Sequence, residues 1–166
     1  MTSEPVRQEL DEYIHGALAP GFFGLLMLGV VDRLVEGGVP AAEAAGISVP
    51  VRAFSTMALL NQADQSVTEL APRLGVTHAA VIKTARQLEA LGLVERRADP
   101  GDARRKPLSL TAEGREEAAL ILSYMDRAAR VYRGLFEEAG MDLFKGMQAL
   151  NAALDRESFS ARMARN

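Results

Sequence analysis

The sequence predicts a mainly α-helical fold that carries one small β-hairpin, and three observations support this fold class. Apolar residues recur at spacings of three and four along most of the 166-residue chain, which is the pattern of helices with one buried face. Two short helical segments in the middle are separated only by Gly75 and Val76. Two strand-like runs follow them and flank a loop with the sequence Asp99-Pro100-Gly101, which favours a tight turn.

The composition indicates a globular protein, with one compact domain or two small lobes that share a core. Hydrophobic residues make up 48% of the chain and charged residues 25%, so disorder is not expected. There is no cysteine, which excludes disulfides, thiolate metal ligands and cysteine-based redox sensing. With His15 and His78 as the only histidines, we expect no metal site and no cofactor.

The most apolar stretch, residues 17–31, does not indicate a membrane span. It is shorter than the roughly 20 apolar residues that a spanning helix needs, and proline and glycine interrupt it. It also lies behind acidic residues and too far from the N-terminus for a secretory signal. We therefore expect a cytoplasmic protein without a membrane partner.

Three helices are predicted in the first part of the chain. The spacing predicts a helix over residues 5–18, a break at Pro20-Gly21, and a second helix over residues 22–36 that is apolar almost all round and therefore expected to be buried. Gly37-Gly38 is expected to end this helix, with a connecting segment over residues 39–50. A third helix is predicted over residues 51–62, with these residues facing inward: Phe54, Met57 or Ala58, and Leu60 or Leu59.

Two short helices are then predicted with only a tight turn between them. Thr68 is a suitable N-cap for the first helix, and Gly75 is suited to its end. Thr77 caps the second, which is predicted to run over residues 77–91 and to stop at Gly92. This spacing is typical of a helix-turn-helix.

The second of these helices has two distinct faces. At about 100° per residue, its buried stripe and its opposite face can be assigned from sequence alone. The stripe consists of Val81, Ala85 and Leu88. The opposite face consists of Ala79, Lys83 and Arg86, flanked by Ile82 and Gln87.

The two strand-like runs, "LVERR" and "KPLSL", predict a β-ribbon directly after the second helix, with Pro107 at an edge or entry position. The net charge is −3, yet residues 96–106 contain five basic and two acidic residues. A helix-turn-helix followed by such a ribbon is a winged helix-turn-helix, whose exposed helix face fits a DNA major groove. The basic hairpin can reach the phosphate backbone or the minor groove. On charge alone, a solvated turn is the simpler interpretation.

The last part of the chain predicts two further helices. Thr111 caps a helix of about seven turns, in which apolar residues repeat at spacings of three, four and seven from Ala118 to Phe136. Gly140 interrupts the pattern. The last helix carries Leu143 or Phe144, Met147, Leu150 and Leu154.

Residues 66–114 resemble the DNA-binding lobe of the MarR (multiple antibiotic resistance regulator) family. The resemblance lies in the turn "LGVT", in "QLEALGLVERR", and above all in "DPGDARRKPLSLTAEG", which contains the D-x-R element Asp102 and Arg104. These parts occur in the family's order and spacing, and outside them only the layout of helices is similar.

The resemblance implies a homodimeric transcription regulator, a repressor, that binds double-stranded DNA at a near-palindromic operator. Residues 1–48 and 112–166 would form a helical dimerisation lobe, and residues 49–111 the winged helix-turn-helix lobe. In the family a small phenolic or lipophilic effector binds between the lobes and changes their spacing. Its different affinity for the two spacings would release the DNA.

Candidate DNA contacts fall into two groups. The recognition helix supplies Thr77, His78, Ala79, Ile82, Lys83, Arg86 and Gln87. The wing supplies Arg97, Asp102, Arg104, Arg105 and Lys106. Lys83 and Arg86 are suited to donate to a guanine or a phosphate, and Arg104 to enter a narrow minor groove with Asp102 fixing the wing tip.

A simpler alternative exists for each contact. Lys83 and Arg86 could be solvated helix charges, His78 an inert surface histidine, and Asp102 with Arg104 a salt-bridged loop. Thr77 is first a helix cap. Ile82, if it faces DNA, can contact only a thymine methyl group.

The candidate effector pocket consists of apolar and amphipathic residues near the expected junction of the lobes. They are Tyr13, His15, Phe22, Phe23, Met27 and Phe54. A methionine and aromatic stripe at helical spacing is more often plain core.

Two other classes of protein, an enzyme and a protein-binding winged helix, are alternatives to a DNA-binding regulator. The nucleophile motif G-x-S-x-G, the P-loop and the H-E-x-x-H motif are all absent from the sequence, so we do not expect an enzyme. A winged helix that binds another protein instead of DNA is the remaining alternative, favoured by the acidic total and by Ile82. The basic residues of the recognition helix and the wing argue against it.

Overall fold

The structure, a computed structural model, describes residue 16, residues 19–97 and residues 106–165. The predicted helix over residues 5–18 lies almost wholly outside the described residues. The chain divides into two compact units, Met1–Ile121 and Leu122–Asn166. In chain order the helices and strands are a 3-10 turn Ala19–Phe22, α1 Phe23–Ala44, a 3-10 turn Val51–Ala53, α2 Phe54–Leu60, α3 Val67–Leu74, α4 His78–Ala90, β1 Val94–Arg96, β2 Leu108–Leu110, α5 Ala112–Glu138, α6 Leu143–Arg156 and α7 Phe159–Arg165. The mainly α-helical fold with one β-hairpin is confirmed.

Helix α1 is longer than the sequence predicts. The expected end at Gly37-Gly38 is wrong, because the helix continues through Pro40 to Ala44. Of the expected connecting segment, only residues 45–50 lie outside the helix. The left-handed glycine that ends a helix is instead Gly46, with φ +79°. Its backbone N–H donates to the Glu43 carbonyl at 2.9 Å. Glycine permits this conformation but does not impose it, so the pair inside the helix remained helical.

The expected burial of α1 is also not found among the described residues. Leu25, Leu26 and Leu28 each remain more than 60% exposed, and Ala42 is the one buried residue of the helix. Apolar composition indicates that a helix will be covered but does not identify the covering surface. The described residues of one chain leave most of this helix uncovered.

The core of the first unit lies between α2, α3, α4, the hairpin and the start of α5. Its largest fully buried side chains include Met57, Leu70, Leu88, Leu108, Leu110 and Ile121. The predicted stripe of α4 is confirmed, because Val81, Ala85 and Leu88 are at most 1% exposed. Burial of a valine or leucine side chain contributes roughly 1.5–3 kcal/mol, so Val81 and Leu88 fix which face of α4 points outward.

The two strands form an antiparallel hairpin with Val94 opposite Leu110 and Arg96 opposite Leu108. Pro107 lies at the entry to β2, as predicted, and its carbonyl accepts from the backbone N–H of Arg97 at 3.1 Å. Gln65 and Leu108 exchange two backbone hydrogen bonds, of 3.1 and 2.9 Å, which attach the hairpin to the segment before α3.

Thr111 caps α5, as predicted, and also attaches the helix to the turn after α4. Its hydroxyl accepts from the backbone N–H of Gly114 at 3.0 Å and donates to the Gly92 carbonyl at 2.8 Å. Its backbone N–H donates to the Leu93 carbonyl at 3.1 Å. The start of α5 therefore lies directly against the strand that leads into the hairpin.

Glu117 attaches the segment after α1 to the same helix. This buried carboxylate accepts from the backbone N–H of Ser48 at 2.6 Å, from the Ser48 hydroxyl at 2.9 Å and from the backbone N–H of Val49 at 3.2 Å. Three donors satisfy one carboxylate oxygen and offset the desolvation of the buried charge.

The second unit consists of the rest of α5 with α6 and α7. The turn after α5 contains the left-handed Gly140, as predicted, with φ +67°. Asp142 caps α6, and the Lys145 backbone N–H that donates to its carboxylate lowers the pKa of Asp142. Helix α7 was not predicted, and Arg162 attaches it by donating to the Ala153 and Glu157 carbonyls.

No helix within the described parts of the chain is both long and apolar enough to cross a membrane.

Ser109 provides a test of the core of the first unit. Its side chain is 1% exposed, and its hydroxyl oxygen has no hydrogen-bond partner among the described residues. Because an unsatisfied buried hydroxyl is destabilising, Ser109→Ala is expected to raise the free energy of unfolding by about 1 kcal/mol. Urea unfolding at one protein concentration measures the change. Thr111→Ala, which removes a bonded hydroxyl, should lower the same quantity, and a comparable loss in both variants would contradict the prediction.

Candidate nucleic-acid interface

Helices α3 and α4 form a helix-turn-helix whose ends are fixed by capping residues. The turn is short: Gly75 has φ +66° and ends α3, and Thr77 accepts from the backbone N–H of Ala80 at 3.2 Å to begin α4. The cap of α3 is Ser66 and not the predicted Thr68. Ser66 and Glu69 form a reciprocal capping box, with bonds of 2.7 and 3.3 Å. A cap with two reciprocal bonds satisfies more of the free N–H groups at a helix start than a lone threonine would.

The face of α4 opposite its buried stripe is exposed and basic. Lys83 and Arg86 are both exposed, as is Ala79 beside them. Neither cation makes an ion pair with a carboxylate among the described residues. The arrangement leaves two uncompensated positive charges on a convex helix surface, which suits a polyanion.

Two hydrogen-bonded pairs lie on opposite flanks of this exposed face. At about 100° per residue, Gln87 and Glu89 project to opposite sides of α4. Glu89 accepts from Arg96 of β1 at 2.8 Å, so the wing lies on that flank. On the other flank, Gln87 accepts from Arg52 at 3.0 Å. The exposed face is therefore bordered by an arginine on each side.

The remaining predicted residues of α4 lie at the margins of this face. Ile82 is 36% exposed and lies on the flank that faces the wing. His78 is exposed in the first turn, and the Thr77 hydroxyl is already engaged as the cap.

The wing is described only at its base. Arg97 donates to Glu95 at 2.8 Å, so its charge is largely paired within the hairpin. Lys106 is exposed. The predicted wing-tip residues Asp102, Arg104 and Arg105 lie outside the described residues.

Arg73 of α3 is an exposed cation held by a buried amide. Its guanidinium donates to the Gln65 side-chain oxygen at 2.6 Å, and the Gln65 amide donates to the Leu59 carbonyl at 2.9 Å. Gln65 is buried. The pair orients the guanidinium without neutralising it.

The predicted effector-pocket residues differ in exposure where the structure describes them. Phe54 is buried in the core, Phe22 and Met27 are half-buried, Phe23 is exposed, and Tyr13 and His15 lie outside the described residues. A separate groove of about 740 Å³ lies within the second unit. Its lining includes Tyr132, Arg133, Phe136, Met141 and Phe144.

The described residues contain no group of three or more histidine, aspartate or glutamate side chains placed to hold a metal ion.

Sequence reasoning missed Arg52 and Gln65. Arg52 and its partner Gln87 are 35 positions apart, so no local spacing signals the contact. The Ser66 cap, by contrast, has a signal in the sequence, because Ser66 and Glu69 have the S-x-x-E spacing of a capping box.

The arrangement of capped helix, short turn, outward-facing helix and antiparallel hairpin defines a winged helix-turn-helix. Residues 46–105 match the MarR family model. This part of the chain is therefore similar to the winged helix of MarR-family proteins, in agreement with the sequence resemblance. No match is found among curated protein sequences.

Several solved structures share this fold. A S. aureus MepR–DNA complex is 20% identical, with a TM-score of 0.68 over 80% of this chain and 97% of that chain. The transcriptional repressor CouR, bound to a 23-mer DNA duplex, is 24% identical, with a TM-score of 0.63 over 84% and 96%. CouR from Rhodococcus jostii RHA1, bound to p-coumaroyl-CoA, is 25% identical, with a TM-score of 0.58 over 82% and 91%.

Proposed function

We propose that this chain is a homodimeric, DNA-binding transcription regulator, acting as a repressor at a near-palindromic operator. Helix α4 would enter the major groove, and the basic wing would contact the backbone or the minor groove. Residues 49–111 would form the DNA-binding lobe, and residues 1–48 with 112–166 the dimerisation lobe. This role would place the protein in the compartment that holds its DNA.

The single observation that carries the proposal is the outward face of α4. Val81, Ala85 and Leu88 are buried, so the side chains of Lys83 and Arg86 point away from the core of the unit. Their charges are unpaired among the described residues, which leaves them available for guanine edges or phosphates.

Each candidate residue is assigned a proposed DNA contact according to its position on α4, in the wing or on α3. Lys83 and Arg86 are the central contacts, with Ala79 and Ile82 limited to apolar contacts with bases. Thr77 and His78 are the proposed phosphate contacts at the helix start. In the wing, Arg104 is the proposed minor-groove residue, supported by Asp102, with Arg97, Arg105 and Lys106 on the backbone. Arg73 is a further phosphate candidate because Gln65 orients it.

Two structural relatives support a DNA-binding role. MepR and CouR have solved structures with DNA, and both share the fold of this chain. DNA is the ligand in both complexes, and the basic face of α4 is the surface of this chain that suits the same ligand.

Dimerisation is supported by apolar residues that a single chain leaves uncovered. In α1, Leu26 is 66% exposed, and in α7 both Phe159 and Met163 are exposed to a similar extent. Exposed apolar surface of this kind marks an interaction surface. A dimer at micromolar concentration is the expected result of sedimentation, and a monomer would contradict the assignment of the terminal helices.

A small phenolic or lipophilic effector is the proposed signal for release. CouR from Rhodococcus jostii RHA1 has a solved structure bound to p-coumaroyl-CoA, a thioester of a phenolic acid. The groove of the second unit offers aromatic side chains and Arg133, whereas Phe54 of the predicted pocket is buried in the core. A screen of phenolic compounds for release of bound DNA tests this part.

The second candidate function is a winged helix that binds a protein partner. The acidic total charge of −3 and the apolar Ile82 beside the recognition face favour it. Lack of binding to duplex DNA at low salt would favour this candidate over the first.

Salt dependence tests the DNA-binding role directly. Affinity for a mixed-sequence duplex is expected to fall steeply between about 50 and 200 mM salt, with a log–log slope near −0.9 for each phosphate contact. Fluorescence anisotropy measures both affinity and slope.

Selection of bound sites from a random DNA pool then identifies the operator, and Lys83→Ala should relax the preference at one position of each half-site. Equal losses on selected and random DNA would contradict base reading by Lys83.

A further inference from the structure

We propose that Arg52 is a phosphate-contacting residue on the flank of α4 opposite the wing, and that Gln87 is the positioning residue that holds it there. This inference rests on the proposed DNA-binding function and extends it to a residue outside the helix-turn-helix and the wing. It also changes the role of Gln87 from a DNA contact to a support for one.

The geometry places Arg52 beside the recognition surface. A terminal guanidinium nitrogen of Arg52 donates to the Gln87 side-chain oxygen at 3.0 Å. Gln87 lies on α4 directly after Arg86, which is one of the two outward-facing cations. Arg52 is exposed and lies in the 3-10 turn Val51–Ala53. The next residue of this turn, Ala53, is buried. The backbone that carries Arg52 is therefore anchored in the core.

The charge of the partner distinguishes Arg52 from the arginines at the base of the wing. Arg96 and Arg97 form ion pairs with the carboxylates of Glu89 and Glu95, so a negative charge lies beside each of these arginines. Arg52 is held by a neutral amide and makes no ion pair with a carboxylate among the described residues. An amide oxygen fixes the direction of the guanidinium and leaves its positive charge for an external anion.

An arginine on the flank opposite the wing would allow α4 to contact phosphates on both of its sides. A helix in the major groove lies between two phosphate backbones, and phosphate contacts on both sides set its depth and register. The wing borders one flank of α4, through the contact of Glu89 with Arg96. Arg52 borders the other flank, so the wing and Arg52 can each contact one of the two phosphate backbones.

The first test compares the unaltered full-length chain with Arg52→Ala on a labelled mixed-sequence DNA duplex across a salt series. Arg52→Ala is expected to weaken binding roughly eightfold at ~0.1 M salt for each copy that touches DNA, and to reduce the log–log salt slope by about 0.9 per copy. Arg156→Ala, which removes from the second unit an exposed arginine that makes no ion pair with a carboxylate among the described residues, is the matched control and should change neither quantity. Circular dichroism checks that each variant is folded.

The second test separates positioning by Gln87 from direct contact. Gln87→Ala should weaken binding less than Arg52→Ala does, and should cause no further loss when Arg52 is already alanine. Gln87→Glu should reduce the salt slope, because a carboxylate would neutralise Arg52.

The outcomes distinguish this inference from the proposed function. An unchanged affinity and slope in Arg52→Ala, with normal binding by the unaltered chain, would overturn the inference alone. Independent, multiplicative losses for Arg52→Ala and Gln87→Ala would overturn the positioning role. Absence of DNA binding by the unaltered chain at low salt would overturn the proposed function and this inference together.

Discussion

Replacing Gly114 by alanine is expected to lower the free energy of unfolding by about 3 kcal/mol or more, because the new methyl group has no space. A Cβ atom at Gly114 would overlap the Leu93 carbonyl oxygen and lie 2.9 Å from its carbonyl carbon. Both atoms belong to the backbone, so no side-chain rotation can relieve the overlap. The start of α5 would have to move away from Leu93, which breaks the bond from Thr111 N–H to the Leu93 carbonyl.

Urea unfolding of Gly114→Ala at one protein concentration measures this effect, and Gly134→Ala is the matched control. Gly134 lies in the same helix α5, and a Cβ atom there meets no heavy atom within 4 Å. Because alanine is the better helix former, the control should be stabilised by about 0.5–1 kcal/mol. If Gly114→Ala unfolded at the same urea concentration as the unaltered chain, the close approach of α5 to Leu93 would be refuted.

Gly114 also shows how much of the fold could be predicted. Its place in the pattern "SLTAEG" supported the resemblance. Glycine is required there because the backbone of α5 lies close to the backbone of Leu93, and this contact cannot be predicted from the local sequence. Most features set within one helix were predicted: Thr77 and Thr111 are capping residue types, and the stripe of Val81, Ala85 and Leu88 follows from about 3.6 residues per turn. The cap of α3 is the exception, because Ser66 and not Thr68 begins that helix.

Features that depend on contacts distant in the sequence were not predicted. Helix α1 continued through Gly37-Gly38 because glycine ends a helix only where the chain turns, and the chain turns at Gly46. The apolar residues of α1 predicted burial, but the sequence does not state which surface provides it. The contact between Arg52 and Gln87 was missed for the same reason.

The candidate site was partly predictable, because the outward direction of Lys83 and Arg86 follows from the buried stripe. Whether Lys83 and Arg86 form ion pairs could not be predicted from the sequence, because this depends on which carboxylates lie near them in the fold. Arg96 and Arg97 of the same basic segment are paired with glutamates. Counting the basic residues of residues 96–106 therefore overestimates the charge that is available to a ligand.

The largest expected effect on DNA binding comes from reversing the charge of Lys83 and Arg86 together. Each substitution by glutamate removes one phosphate contact and adds a repulsive charge. The double variant Lys83→Glu with Arg86→Glu should weaken binding to duplex DNA by at least about 10³-fold at ~0.1 M salt. Both side chains are exposed, and surface substitutions of this kind change stability little, by about 0.5 kcal/mol. The loss should therefore appear in anisotropy titrations without a matching shift in urea unfolding.

The control for this double variant changes the net charge by the same amount at other exposed helix positions. Arg33 of α1 and Arg156 of α6 are exposed and make no ion pair with a carboxylate in the described parts of the chain. If net charge alone governs binding, Arg33→Glu with Arg156→Glu will weaken binding as much as the α4 variant does. If the outward face of α4 is the binding surface, the control will lose only the small, salt-screened contribution of distant charges. Equal losses in the two double variants would remove the assignment of α4 as the recognition helix.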